Sequence, residues 1–427
     1  MNKNKEFQKR KEMAIAKGQK NLFPIYIDKA VNAEIWDVEG SRYIDLCAGI
    51  AVTNVGHNHP KIMNALKGQM NEFTHSCLMI NPYKSAIELA EKLNELVPIK
   101  YAKTVFLNSG AEAVENAVKI AKAFTKRSSV ISFVGSFHGR THMCLGLTGK
   151  FSPYKEGFGP FPSGIYHIPF PIENYNLTTE NSLNTLKDLF KSTVKPTEIA
   201  AVIIEPVQGE GGFHIAPKKF LQELKEICDD YGILLICDEV QTGFARTGAF
   251  FAVEHYGIEP DIITIGKGLA NGIPLSAVVG KKEVMDAAES LGGTFGGSPL
   301  GCQSALAVID VINEEDLCNR ALKIGKISVD NLKRLQSIYP DRIGSVRNSG
   351  AMIAIEFIKD GDFKNPDSEI TKKIIDEVSK RGVLLLSCGM DGNIIRLLPP
   401  LTIELDLLRE GLDIVDEVIV ELFSKTI

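Results

Sequence analysis

An α/β fold, with a mostly parallel sheet in a large domain and a smaller α+β domain after it, is predicted by three features of the sequence. From about residue 102 onward, short apolar runs alternate with amphipathic stretches, the pattern of strands and helices wound into one sheet. Polar and glycine-containing turns close several of those runs, at the edge where open α/β sheets bind ligands. Beyond about residue 310 the pattern shifts to long helical segments interleaved with isolated strands. With 427 residues, 44% of them hydrophobic and 24% charged, the chain is long enough for two or three domains.

The elements follow in order. Residues 33–36 and 43–46, on either side of Asp37-Val38-Glu39-Gly40, read as a hairpin expected to join the smaller domain in space. A strand is predicted over 104–107, followed by the turn Asn108-Ser109-Gly110. Ala113, Val114, Ala117, Val118, Ala121 and Phe124 then recur on one helical face. Further strands are expected over 130–134, 201–204, 234–237, 262–265 and 277–279, with a helix over 217–230. Past these come helices near 317–335 and 370–380 and strands over 352–357, 383–386 and 394–397. The expected division is an N-terminal segment, 1–59, belonging to the small domain, a large domain over 60–310, and a C-terminal small domain over 311–427.

Charge and cysteine content narrow the function classes. A net charge of -5, from 48 basic and 53 acidic residues, gives no electrostatic reason to expect nucleic acid or an anionic membrane as partner. Small molecules are the expected ligands. The eight cysteines form no CxxC pair and several sit in apolar runs, which suits buried free thiols in a reducing compartment. Residues 1–13 are rich in Lys and Glu and no later stretch is apolar enough to span a bilayer, so a cytoplasmic location is expected.

Three strand ends carry chemistry. Asn108-Ser109-Gly110-Ala111 leads into a helix, and offers a phosphate the backbone N–H groups and positive dipole end of its first turn. An ordinary helix cap would look the same. There is no Walker-A or GxGxxG pattern to indicate a nucleotide. Asp238 closes the run 233–237, and Lys267, flanked by Gly266 and Gly268, closes the run 262–265. Separately, these would read as a turn cap and a solvated surface lysine. Together they match the needs of pyridoxal phosphate, whose aldehyde forms a Schiff base with a lysine while a carboxylate keeps its pyridine nitrogen protonated.

The run Asp238-Glu239-Val240-Gln241-Thr242-Gly243-Phe244-Ala245-Arg246-Thr247-Gly248, followed by Ile265-Gly266-Lys267-Gly268, resembles the signature of the class III, or ω-amino-acid, aminotransferases. The resemblance extends to Gly56-His57-Asn58-His59-Pro60, Phe137-His138-Gly139-Arg140-Thr141, Glu205-Pro206-Val207-Gln208-Gly209-Glu210-Gly211-Gly212 and Gly292-Gly293-Thr294-Phe295-Gly296-Gly297. It implies a pyridoxal-phosphate-dependent fold of type I with a seven-stranded sheet. It also implies a homodimer, or a dimer of such dimers, with active sites at the subunit interface. By the same resemblance Lys267 carries the cofactor, Asp238 pairs with the ring nitrogen and Gln241 bonds the phenolic oxygen. Val240 and Phe137 cover the two ring faces, with His138 beside them. Gly110 and Ala111 hold the phosphate, and Thr294 reaches the phosphate of the neighbouring subunit. Two departures stand out: Ala111 lacks the hydroxyl many relatives have there, and Met79 replaces a polar side chain found in some.

The resemblance further implies amino transfer from 4-aminobutyrate to 2-oxoglutarate by a ping-pong route. Arg140 would take the carboxylate far from the reacting carbon, Arg396 the second carboxylate of the oxo acid, and apolar Ile50 would wall the donor pocket. Glu210 would neutralise Arg396 while an ω-amine is bound, and its glycine neighbours are expected to leave its backbone free to move. A permanent Glu210–Arg396 salt bridge is the plain alternative. Ornithine or acetylornithine as donor, racemisation of an amino acid, or a non-catalytic cofactor-binding role are the competing functions. The joint presence of Lys267, Asp238, Gln241, Arg140, Glu210 and Arg396 speaks against the last.

Overall fold

The computed structural model describes residues 2–424. Met1 and residues 425–427, the outer ends of the predicted N-terminal and C-terminal segments, lie outside the described residues. At its centre is a seven-stranded sheet in the order Ala102–Leu107, Ser276–Lys281, Ile262–Ile265, Leu234–Asp238, Ile199–Ile204, Ser129–Phe133, Ile165–Ile168. Only Ser276–Lys281 runs antiparallel to its neighbours. The remaining pairs are parallel. Every residue of Ile199–Ile204 and Leu234–Asp238 is buried, because helices cover both faces of the sheet.

Alternation along the strands divides the core. Ile203 and Ile236 face one way, onto the helix Gly110–Thr125, whose Ala113, Val114, Ala117, Val118 and Ala121 are buried against them. Ile204, Leu235 and Cys237 face the other way, in a second cluster with Phe220 and Leu224 of the helix Lys218–Tyr231. Each such aliphatic side chain contributes about 1.5–3 kcal/mol relative to exposure. That rigid platform fixes the carboxyl ends of its strands, where the polar residues sit.

The predicted strands of this sheet are all present, and Ile165–Ile168 is a seventh that its short, proline-flanked run did not signal. The hairpin forms from Glu34–Asp37 and Arg42–Asp45, with Asp37 Oδ1 accepting from the amides of Glu39 (2.9 Å) and Ser41 (2.8 Å) in the turn. In the C-terminal part, Ile343–Ser349, Met352–Lys359, Ile394–Leu397 and Leu386–Cys388 make an antiparallel sheet. The single strand expected over 383–386 is two. Val383–Leu384 pairs in parallel with Arg42–Asp45, while Leu386–Cys388 pairs with Ile394–Leu397. All eight cysteines are free, and no helix among the described residues is long and apolar enough to cross a membrane.

Candidate active site

The strand Leu234–Asp238 delivers Asp238 to the carboxyl edge of the sheet, where it is 4% exposed. A carboxylate that dry requires donors. The Thr264 hydroxyl gives one to Oδ1 at 3.0 Å and the Val240 amide another at 3.2 Å. His138 Nδ1 lies 2.7 Å from Oδ2, and since a carboxylate can only accept, Nδ1 carries the proton. Glu239, the next residue, points into the core and accepts from the amides of Ala252 (3.0 Å) and Val253 (2.7 Å), so it supports the turn rather than the cleft.

Gly110 and Ala111 begin the helix Gly110–Thr125. Its capping box consists of Ser109, which accepts from the Glu112 amide, and Glu112, which takes the Ser109 amide. The Gly110 and Ala111 amides, in the first turn, have no intrahelical acceptor. Glycine at 110 is dictated by packing, since a Cβ there would stand 2.8 Å from Val240 Cγ1. Gly139 (φ +121°) passes so near that its Cβ would meet that of Ala111 at 2.7 Å. These close approaches bring the helix end, Val240 and the Phe137–Gly139 loop around one cavity.

That cavity is lined by Gly110, Ala111, Phe137, His138, Asp238, Val240, Gln241 and Lys267, together with Gly139 and Glu205. Gln241 Oε1 and His138 Nε2 are buried there with no protein partner. Amide donors at one end, an aromatic and an aliphatic wall, a buried carboxylate and a lysine make a donor set that can hold a flat, phosphate-bearing pyridine aldehyde. Lys267 follows Ile262–Ile265 with φ +43°, a strained backbone that glycines on both sides accommodate. Its side chain keeps some accessible surface in the cavity wall. Burial nevertheless pushes the ammonium down to about 8, with Glu210 opposing the shift.

Behind the residues that line the cavity, near enough to Lys267 to act on its charge, Arg396 on the strand Ile394–Leu397 donates from Nη1 to Glu210 Oε1 at 2.6 Å. Arg396 is 4% exposed. Burial by itself would raise the Glu210 carboxyl, and the arginine reverses that and holds it below its ordinary value. The glycines around Glu210 are closely approached by their neighbours. An added Cβ at 211 would stand 2.6 Å from the Gly135 carbonyl oxygen, and Gly212 holds φ +126°, so glycine is required at both. Gly389 also donates to the Glu210 carbonyl at 3.0 Å.

The remaining predicted residues sit further out. Arg140 is exposed, its guanidinium 5.0 Å from the centre of the Tyr154 ring. Ile50, with φ +68°, lies on the short segment Ala48–Ala51, which packs against Lys267–Leu269. Thr294 is on the surface and does not line the cavity of the single chain; Met79, 61% exposed, lies beside Gly292 of the same glycine loop.

Two residues were missed. Glu205 ends Ile199–Ile204 as Asp238 ends its own strand, so the strand-end rule already applied to Asp238 would have found it. It accepts from the amides of Phe137 (2.8 Å) and Gly209 (2.9 Å), and burial pushes its carboxyl up to about 7. Tyr154, whose hydroxyl donates to Glu210 Oε2 at 3.0 Å, lies in a proline-containing loop with no signal of its role.

An α/β core with a lysine and a carboxylate on adjacent strand ends meets the needs of a transferase of the pyridoxal-phosphate type. The model of the aminotransferase class-III family matches residues 14–419, and the chain belongs to that family. It is 44% identical over 420 residues to the 4-aminobutyrate aminotransferase of Escherichia coli (strain K12), covering 98% of each chain. It is 45% identical over 422 residues to a 5-aminovalerate aminotransferase of Pseudomonas putida, covering 98% of this chain and 99% of the relative. Among solved structures, an amine transaminase from an uncultivated Pseudomonas species in its PLP-bound form superimposes with a TM-score of 0.88 at 28% identity, covering 96% of this chain and 97% of that one.

Proposed function

We propose that this aminotransferase takes the amino group from 4-aminobutyrate and passes it to 2-oxoglutarate, giving succinic semialdehyde and glutamate, with pyridoxal phosphate as cofactor. The observation that carries the reading is the buried Glu210–Arg396 pair, 2.6 Å apart. A donor with no carboxylate on its reacting carbon meets a neutralised arginine, whereas an oxo acid with one there needs that arginine free. A lone buried cation would penalise the first substrate, and a permanent pair the second.

The residues divide the work as follows. Gly110 and Ala111 would anchor the phosphate by their amides, Phe137 and Val240 would flank the ring, with His138 beside them, and Gln241 would meet the phenolic oxygen. Asp238, with its three hydrogen-bonding partners, would hold a proton on the ring nitrogen. Pyridoxal phosphate, when bound, supplies an aldehyde that condenses with amines and a ring that accepts an electron pair. Lys267 Nζ is the base that takes the proton from the amine-bearing carbon, and its depressed pKa of about 8 makes a neutral amine available near physiological pH. Arg140 would fix the far carboxylate, and Ile50 would wall the methylene chain. Thr294 would complete the phosphate site of a partner subunit in a homodimer, or a dimer of dimers, in the cytoplasm. Residues 60–310 would form the cofactor domain, and 1–59 with 311–427 the smaller one.

A second donor deserves equal testing, because the 5-aminovalerate enzyme is as similar as the 4-aminobutyrate one. The experiment is the visible spectrum of the purified protein with 4-aminobutyrate, then with 2-oxoglutarate. Loss of the yellow band with the amine and its return with the oxo acid is the expected result. Indifference to 4-aminobutyrate with a response to 5-aminovalerate or ornithine would move the donor. A colourless protein that takes up no cofactor would end the proposal.

A further inference from the structure

The two carboxylate oxygens of Glu210 have different partners. Oε1 belongs to Arg396 Nη1, and Oε2 accepts from the Tyr154 hydroxyl at 3.0 Å. The backbone beneath is held, since Gly389 donates to the Glu210 carbonyl at 3.0 Å and Phe213 to the Gln208 carbonyl at 2.8 Å. A rotation of the Glu210 side chain would release Arg396 and leave both of these backbone hydrogen bonds intact. A carboxylate rotated out of a buried ion pair is costly unless a donor stays with it.

We propose that Tyr154 is a positioning residue that keeps its hydrogen bond to Glu210 while Arg396 is released, and so determines whether oxo acids with a carboxylate beside the reacting carbon are accepted. The inference rests on the functional reading above.

Tyr154 is suited to be a pivot because it cannot follow Glu210. Its ring, 9% exposed, lies 4.9 Å from the Phe137 ring on one side and carries the Arg140 guanidinium 5.0 Å from its centre. Burial and the neighbouring carboxylate both push the phenol up, so it remains a donor at any physiological pH. With 4-aminobutyrate bound, Arg396 alone suffices to hold Glu210 and the hydroxyl is dispensable. With 2-oxoglutarate bound, the hydroxyl is the donor that remains. The same ring meets Arg140, so one side chain touches the proposed site of the distal carboxylate and the gate of the proximal one.

The test compares two acceptors in Tyr154→Phe, which keeps the ring and loses only the hydroxyl. Losing a hydrogen bond to a charged group should raise KM for 2-oxoglutarate about tenfold. KM for succinic semialdehyde, which has no carboxylate on its reacting carbon, should stay within about twofold by the same reasoning. Calorimetric titration of glutarate, which carries both carboxylates but no reacting carbonyl, into the cofactor-loaded enzyme should weaken by about tenfold. Tyr154→Leu, which also loses the ring beneath Arg140, should add a fall common to both acceptors to the same tenfold asymmetry, provided its cofactor band is intact. Equal losses for both acceptors would mark a merely structural role and overturn the proposal, as would no change in either. A wild-type protein that turns over neither acceptor would sink the functional reading itself, an outcome seen before any variant is compared.

Discussion

His138 and Asp238 share a sealed hydrogen bond: Nδ1 stands 2.7 Å from Oδ2, and the two side chains are 0% and 4% exposed. The imidazole is oriented by this contact, and the carboxylate stands at the place where a pyridinium would need it. Asp238→Asn removes that charge and should slow the amine half-reaction by about 10²–10³-fold, the range for one preorganised electrostatic group. His138→Ala removes one of three donors and should cost about tenfold. Single-turnover decay of the cofactor band measures both, and a smaller loss in Asp238→Asn than in His138→Ala would contradict the assignment.

Lys267 couples chemistry to stability. In the unfolded chain its pKa is the ordinary 10.5, and in the folded chain it is about 8. Between those values the unfolded chain binds more protons, so stability rises with pH across the window and is lost as pH falls through 8. Lys267→Met has no such step. In cofactor-free protein, wild type should gain on the variant by up to about 3 kcal/mol between pH 7 and 10.5, less any screening by water in the cavity. Urea unfolding at several pH values reads this difference, and parallel curves would refute it. The variant should have no transaminase activity at any pH.

Removing Glu210 leaves Arg396 buried without its carboxylate. Glu210→Ala should reduce kcat/KM for 4-aminobutyrate by about 10²-fold, the scale of a broken buried pair. The value for 2-oxoglutarate should hold or improve. Competition between the two substrates in steady-state assays gives the ratio, and a uniform fall in both would argue for a permanent structural bridge.

Ala111 offers an amide but no hydroxyl, and it is only partly buried; Ala111→Ser would supply one. A hydrogen bond to a charged phosphate is worth about 1.5–3 kcal/mol, so the variant should bind pyridoxal phosphate about ten- to a hundredfold more tightly. Cofactor titration of the stripped protein is the measurement. Gly110→Ala should do the opposite, because its Cβ would press on Val240 at 2.8 Å.

Much of this site was legible because the chemistry sits at strand ends. Burial of Ile262–Ile265 and Leu234–Asp238 makes their apolar runs conspicuous, and a polar residue closing such a run stands out. Asp238 and Lys267 were found that way, and Glu205 obeys the same rule. Tyr154 was invisible because its position depends on tertiary packing against Phe137 and Glu210, which no local pattern encodes. The close neighbours of the glycines flanking Glu210 were not legible either; sequence shows an absent Cβ but not the atom beside its space. The strand Ile165–Ile168 and the split of 383–386 escaped for a related reason, since short strands are defined by partners far along the chain.

The parallel pairing of Val383–Leu384 with Arg42–Asp45 has a consequence for synthesis. The N-terminal hairpin emerges early from the ribosome, yet the strand that covers its edge is made more than three hundred residues later. At about 5–20 residues per second, that edge waits tens of seconds with unpaired amides and carbonyls, a template for association with other nascent chains. Productive yield in the cell would then depend on whatever shields the hairpin during translation, and a chain stopped short of residue 384 would leave it open for good.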